Sequence, residues 1–107
     1  MEILGVEING QDLLPEGGEN STDFYRAFMR HCIYNYFDRI IISDTLQKKF
    51  RLSPLDPDFR RAIVYGRVEG YFGLYFSNWN DTKRKKAIIE AISDELGIDV
   101  HVHYVEE

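Results

Sequence analysis

Two histidines, His101 and His103, stand at i, i+2 in the closing segment IDVHVHYV. On an extended chain that spacing puts both imidazoles on one face. Neutral imidazole is the commonest protein donor to transition metals. With His31 or Asp99 as a third ligand, the pair would suit a metal-assisted hydrolase or nuclease. The plainer reading is two solvent-facing histidines on a polar strand face, because a His-x-His pair alone has low specificity. Cys32 is the only thiol, and His31 is its neighbour in the chain. Adjacent helical residues do not face each other, and Cys32 falls in an apolar stripe, so a packed thiol is expected rather than a nucleophile.

The carboxylate pairs Asp56/Asp58 and Glu106/Glu107 have no catalytic frame around them. Asp56-Pro57-Asp58 is first a turn sequence, and no acid-x-Lys triplet follows it to complete a metal-nuclease motif. Gly17-Gly18 precedes a helix, as a phosphate cradle would, but Glu16, Glu19 and Asp23 would repel phosphate. Enzymatic activity is therefore unsupported, and no cofactor is expected.

Lys83, Arg84, Lys85 and Lys86 occupy the first turns of a helix, where the macrodipole favours anions. Such a cluster could hold phosphate or a nucleic-acid backbone. Against that stands a net charge of −5, since nucleic-acid binders usually carry a broad basic stripe. A solvated helix start is the competing reading. All 13 basic residues lie between 26 and 86. The two ends carry only acids: Glu2, Glu7, Asp12, Glu16, Glu19 and Asp23 in residues 1–25, then Glu90, Asp94, Glu95, Asp99, Glu106 and Glu107 in 87–107.

The elements that must position these groups are readable from periodicity. Residues 2–8 alternate as a strand, with Leu4, Val6 and Ile8 on one face and Ile3 and Glu7 on the other. Asn9-Gly10 marks a turn. A helix is predicted over about 22–38, capped by Ser21 or Thr22, with Tyr25, Phe28, Met29, Cys32, Tyr36 and Ile40 as its apolar stripe. RIIIS at 39–43 reads as its last turn or an edge strand, and Ser43 or Asp44 can cap a short helix after it. SPLDPD at 53–58 reads as a loop.

The densest β-forming run, Ala62–Phe76, reads as a hairpin turning at Glu69-Gly70, with Phe72, Leu74 and Phe76 as its buried row. Val64, Tyr71 and Tyr75 then rim a flat outward patch around Gly66 and Gly73. Residues 38–60, a partner protein or a second copy would have to cover it. A second helix is predicted over about 81–96, ending at Gly97, followed by a strand over 98–105.

That order fits a ferredoxin-like split βαβ: one α+β domain over 1–107, a two-layer sandwich with an antiparallel sheet of about four strands and two main helices. The alternative is an α+β domain on a three- or four-stranded antiparallel meander with extra helices. In the split βαβ the first and last strands would be neighbours, bringing the two acidic ends together. The start, MEILGVEING, has no basic or long apolar region, and no run approaches the roughly 18 apolar residues that span a bilayer. A cytoplasmic protein without a membrane partner is expected. The favoured function is a small binding protein of the immunity or antitoxin type, inhibiting a basic partner such as a nuclease toxin. Glu7, Asp99 and Glu106 would provide its negative surface, and Tyr71, Tyr75 and Trp79 its aromatic anchors.

Overall fold

The computed structural model describes residues 1–15, 17–50 and 68–106. The predicted strand at 62–67, the loop at 53–58, Asp56, Asp58, Val64, Gly66, Glu16 and Glu107 lie outside the described residues, as do residues 51–60 of the 38–60 cover. Within them the chain is mixed α and β, with three helices and two antiparallel sheets.

The first sheet has the order β2-β1-β5, built from β1 (Glu2–Ile8), β2 (Gln11–Asp12) and β5 (Val100–Val105). The first and last strands are indeed antiparallel neighbours, with Glu7 opposite His101 and Ile8 opposite Val100. The strict alternation expected in β1 is broken, however. A register shift falls between Ile3, opposite Tyr104, and Gly5, opposite His103. Leu4 is the extra residue, and inserting one residue reverses which face the following side chains take. Ile3, Val6 and Ile8 are thereby all buried, while Leu4 is exposed.

Asn9 and Gly10 join β1 to β2 with φ of 52° and 81°, the left-handed pair that a two-residue hairpin turn requires. The second sheet is the hairpin β3 (Val68–Tyr71) and β4 (Leu74–Ser77). It turns at Phe72-Gly73, three residues beyond the expected Glu69-Gly70, with φ of 51° and 84°. Leu74 and Phe76 are buried as expected, but Phe72 sits exposed at the tip. The shift leaves Glu69 inside a strand, where it pairs with Arg26 at 2.5 Å. It also sets Gly70 opposite Tyr75, whose ring fills the space a Cβ at Gly70 would need.

Helix α1 spans Ser21–Ile42, so RIII belongs to its end and not to an edge strand. Its cap is Asn20, one residue before the expected position. The Asn20 side chain accepts from the Asp23 amide at 2.9 Å, and the Asp23 carboxylate accepts from the Asn20 amide at 3.3 Å. Tyr36 leaves helical geometry (φ −130°, ψ 24°). The preceding Asn35 sends its side-chain amide to the His31 carbonyl at 2.8 Å, the kind of insertion that accompanies helix kinks. Ser43 closes α1 and caps α2 (Asp44–Gln47) through its hydroxyl.

Helix α3 (Thr82–Leu96) ends at Gly97, left-handed at φ 69°, as the sequence indicates. It packs on β1 and β5, and α1 packs on β1 and on α3. One apolar cluster joins Ile3, Val6 and Ile8 to Phe28, Met29 and Cys32 of α1, Leu74 and Phe76 of β4, and Ile89 and Ile92 of α3.

Because Asn20 and Asp23 satisfy each other's backbone amides, Asn20→Ala should cost about 1 kcal/mol, typical for a lost N-cap. For a chain of this size that lowers the melting temperature by about 4–8 °C, measurable by circular dichroism. An unchanged midpoint would mean that the capping box contributes nothing.

Candidate functional site

The outward face of the β2-β1-β5 sheet collects three of the residues singled out in the sequence, Glu7, His101 and His103. Between buried Val6 and Ile8, Glu7 turns outward and lies opposite both His101 on β5 and Asp12 on β2. Glu7 Oε2 meets His103 Nε2 at 2.9 Å, diagonally across the strand pair. The rings of His101 and His103 stand 4.6 Å apart in a T-shaped arrangement. Among the described residues, no group of three or more His, Cys, Asp or Glu side chains is arranged to hold a metal ion. His31 lies on α1, hydrogen-bonding distance from Asn35 rather than from the strand histidines.

Asp99 and Glu106 flank β5 at opposite ends. The seven residue steps between them span about 23 Å of extended chain. Asp99 is tied to the β1–β2 turn, its carbonyl accepting from the Asn9 amide at 2.7 Å. Glu106 lies near Met1 and Lys83. The acidic ends thus form a strip along the sheet rather than a single cluster. None of the strands β1, β2 and β5 contains Lys or Arg.

The basic run does not act as a unit. Asp81 caps α3, its carboxylate accepting from the Arg84 amide at 2.7 Å, so the position an anion would take at this helix end holds a side chain already. Lys85 is buried and donates to the Asn80 carbonyl, and burial holds its ammonium below the usual lysine range. Lys86 pairs with Glu90 and lies over the Tyr104 ring at 4.6 Å. Lys83 and Arg84 remain on the exposed side.

The aromatic anchors separate as well. Tyr71 gathers with Tyr34 of α1 and with Phe72, at centroid distances of 5.3 and 4.8 Å, and Tyr34 lies 5.0 Å from Phe72. Tyr34 hydrogen-bonds Tyr71, raising its phenol above the ordinary value. Phe72 is 62% exposed and Tyr34 60%, so this cluster caps the hairpin tip at the surface. Positive φ at a bulky residue such as Phe72 is costly, and these ring contacts offset it. Tyr75 lies across Gly70, and Trp79 is exposed in the loop before α3.

Sequence reasoning missed Asp12, Tyr34 and Phe72 as site residues. Asp12 was within reach: a two-residue Asn-Gly turn after Ile8 sets Gln11 opposite Ile8 and Asp12 opposite Glu7. Tyr34 is a large aromatic off the apolar stripe of its helix, which is itself a surface signal. Comparison with protein-family models, with curated proteins and with solved structures found no match to this chain.

Cys32 is fully buried, and loss of solvent pushes its thiol well above the ordinary range. The native protein should therefore leave Ellman's reagent unreacted at neutral pH and react stoichiometrically once unfolded in guanidinium. Rapid reaction of the folded protein would place a reactive thiolate where a packed one is expected.

Proposed function

We propose that this chain is a binding domain for a basic protein surface, with an inhibitory role of the immunity or antitoxin type against a partner such as a nuclease toxin. One observation carries the reading: Glu7 and Asp12 lie directly opposite each other on adjacent strands. Like charges facing across a strand pair destabilise a sheet. A sheet that keeps such a pair, with no Lys or Arg on any of its strands, gives up stability where a cationic partner would restore it. An acidic face of this kind also speeds encounter with a cationic active site. In the aromatic cluster around half-buried Tyr71, Tyr34 and Phe72 supply large exposed side chains of the kind that dominate many protein interfaces. The role needs neither a catalytic group nor a cofactor, and a cytoplasmic setting belongs to the same reading. Among the described residues no helix is long and apolar enough to cross a membrane.

Two measurements test the reading. Asp12→Asn removes the like-charge contact and should raise stability by about 0.5 kcal/mol, within the range of cross-strand pairs. The same substitution should weaken partner capture. Affinity capture from the cells that make the protein, comparing the wild type with a Glu7→Lys/Asp99→Lys/Glu106→Lys variant, should recover a basic protein with the wild type only. Equal recovery by the charge-reversed variant would remove the acidic strip as the binding surface.

A further inference from the structure

The order β2-β1-β5 leaves the outer edge of β5 without a strand partner among the described residues. Antiparallel pairing alternates which residues turn their backbone groups toward the neighbouring strand. The Asn9 amide donates to the Asp99 carbonyl, and the register continues from there through Glu7 opposite His101. Asp99, His101 and His103 therefore face β1, and the amides and carbonyls of Val100, Val102 and Tyr104 face outward. Natural sheets blunt such edges with lysine, proline or a bulge on the edge strand. Val100–Val105 contains neither lysine nor proline, and the one bulge of this sheet lies on β1.

Along that edge runs an open groove of about 410 Å³ between β5 and α3. Glu90 and Asp94 line it from the helix, Asp99 from just before β5 and Val102 and Tyr104 from β5, with Lys86 the lone Lys or Arg among its lining residues. Lys86 is already paired with Glu90.

We propose that this groove binds an extended, basic segment of a partner protein, which adds to β5 as a further strand. The proposal rests on the reading of this chain as a binder of a basic partner and names how that partner docks. Backbone pairing to Val100, Val102 and Tyr104 supplies register, and alternate Lys or Arg side chains on the α3 side of the added strand meet Asp94. A second copy of this chain fits the edge less well. The β5 strand of a second copy carries no Lys or Arg that could meet the acids lining the groove.

The test uses the full chain and capped synthetic peptides: one alternating Lys and Val, one alternating Glu and Val, and one alternating Lys and Pro, which carries charge but cannot pair as a strand. Binding is followed by fluorescence anisotropy and by amide hydrogen exchange resolved by NMR. The Lys–Val peptide should bind and slow exchange at Val100, Val102 and Tyr104, leaving His101 and His103 unchanged. The other two peptides should not do so. Asp94→Lys should weaken Lys–Val binding about five- to tenfold, the scale of reversing an exposed charge contact, whereas Asp38→Lys, an exposed acid on α1, should leave it within about twofold. Equal binding of the Lys–Pro peptide, an absence of edge protection, or concentration-dependent dimerisation that protects the same amides without peptide would each overturn the proposal. Loss of strand addition while partner capture still depends on Glu7 would sink this docking mode alone. Peptide binding at the edge without any Glu7-dependent partner would instead sink the acidic-face reading.

Discussion

The pairing of β1 with β5 across a bulge at Leu4 is the constraint on which the rest of the structure depends. It joins the two ends of the chain, and the extra residue decides which side chains enter the core. Without it, Ile3 and Val6, three positions apart, would point to opposite faces of the sheet. With it, Ile3, Val6 and Ile8 all meet α1 and α3, while Glu7 turns out beside His103. One local irregularity thus completes the apolar layer and composes the polar face.

Charge is distributed in keeping with that division. The cations of the chain's middle are used internally wherever the structure describes a pair. Arg26 binds Glu69, whose hydrogen bond raises the guanidinium pKa further, Lys85 supports the loop before α3, and Lys86 pairs with Glu90 along α3 and reaches over the Tyr104 ring of β5. The acids of β1 and β2 find no such cation on their own sheet. Among the described residues, the polar face of this sheet carries acids and histidines from its own strands but no Lys or Arg from them. Asp81 explains the apparent conflict between Lys83–Lys86 and the helix dipole, because the capping carboxylate supplies the negative charge that the helix start favours.

Much of this was legible in the chain. Helical spacing identified the buried stripe of α1, Gly97 marked the end of α3, and alternation identified β5. What escaped has a physical pattern. Periodicity assumes unbroken strands, so it put Leu4 on the face of Val6 and Ile8 and Ile3 on the other, and nothing in EILGVEI announces the inserted residue. The hairpin turn was read at Glu69-Gly70 because glycine was the only local cue, and Phe72-Gly73 offered an equal glycine beside a bulky residue that rarely takes positive φ. Tertiary contacts between Glu69 and Arg26, and between Phe72 and Tyr34, favour the latter. The acidic strip was foreseen from composition, whereas the facing of Glu7 and Asp12 needed the register.

The most direct measurement is zero-length carbodiimide cross-linking in an extract of the cells that make this protein, read by mass spectrometry. The reagent joins carboxylates only to amines in contact with them, so it reports which acids meet a partner's lysines. The expected result is links from a basic protein to Glu7, Asp12, Asp94 or Asp99. Links confined to Asp38 of α1 and Asp44 of α2, or to no lysine of any partner, would contradict the assignment of this sheet and its edge as the binding surface.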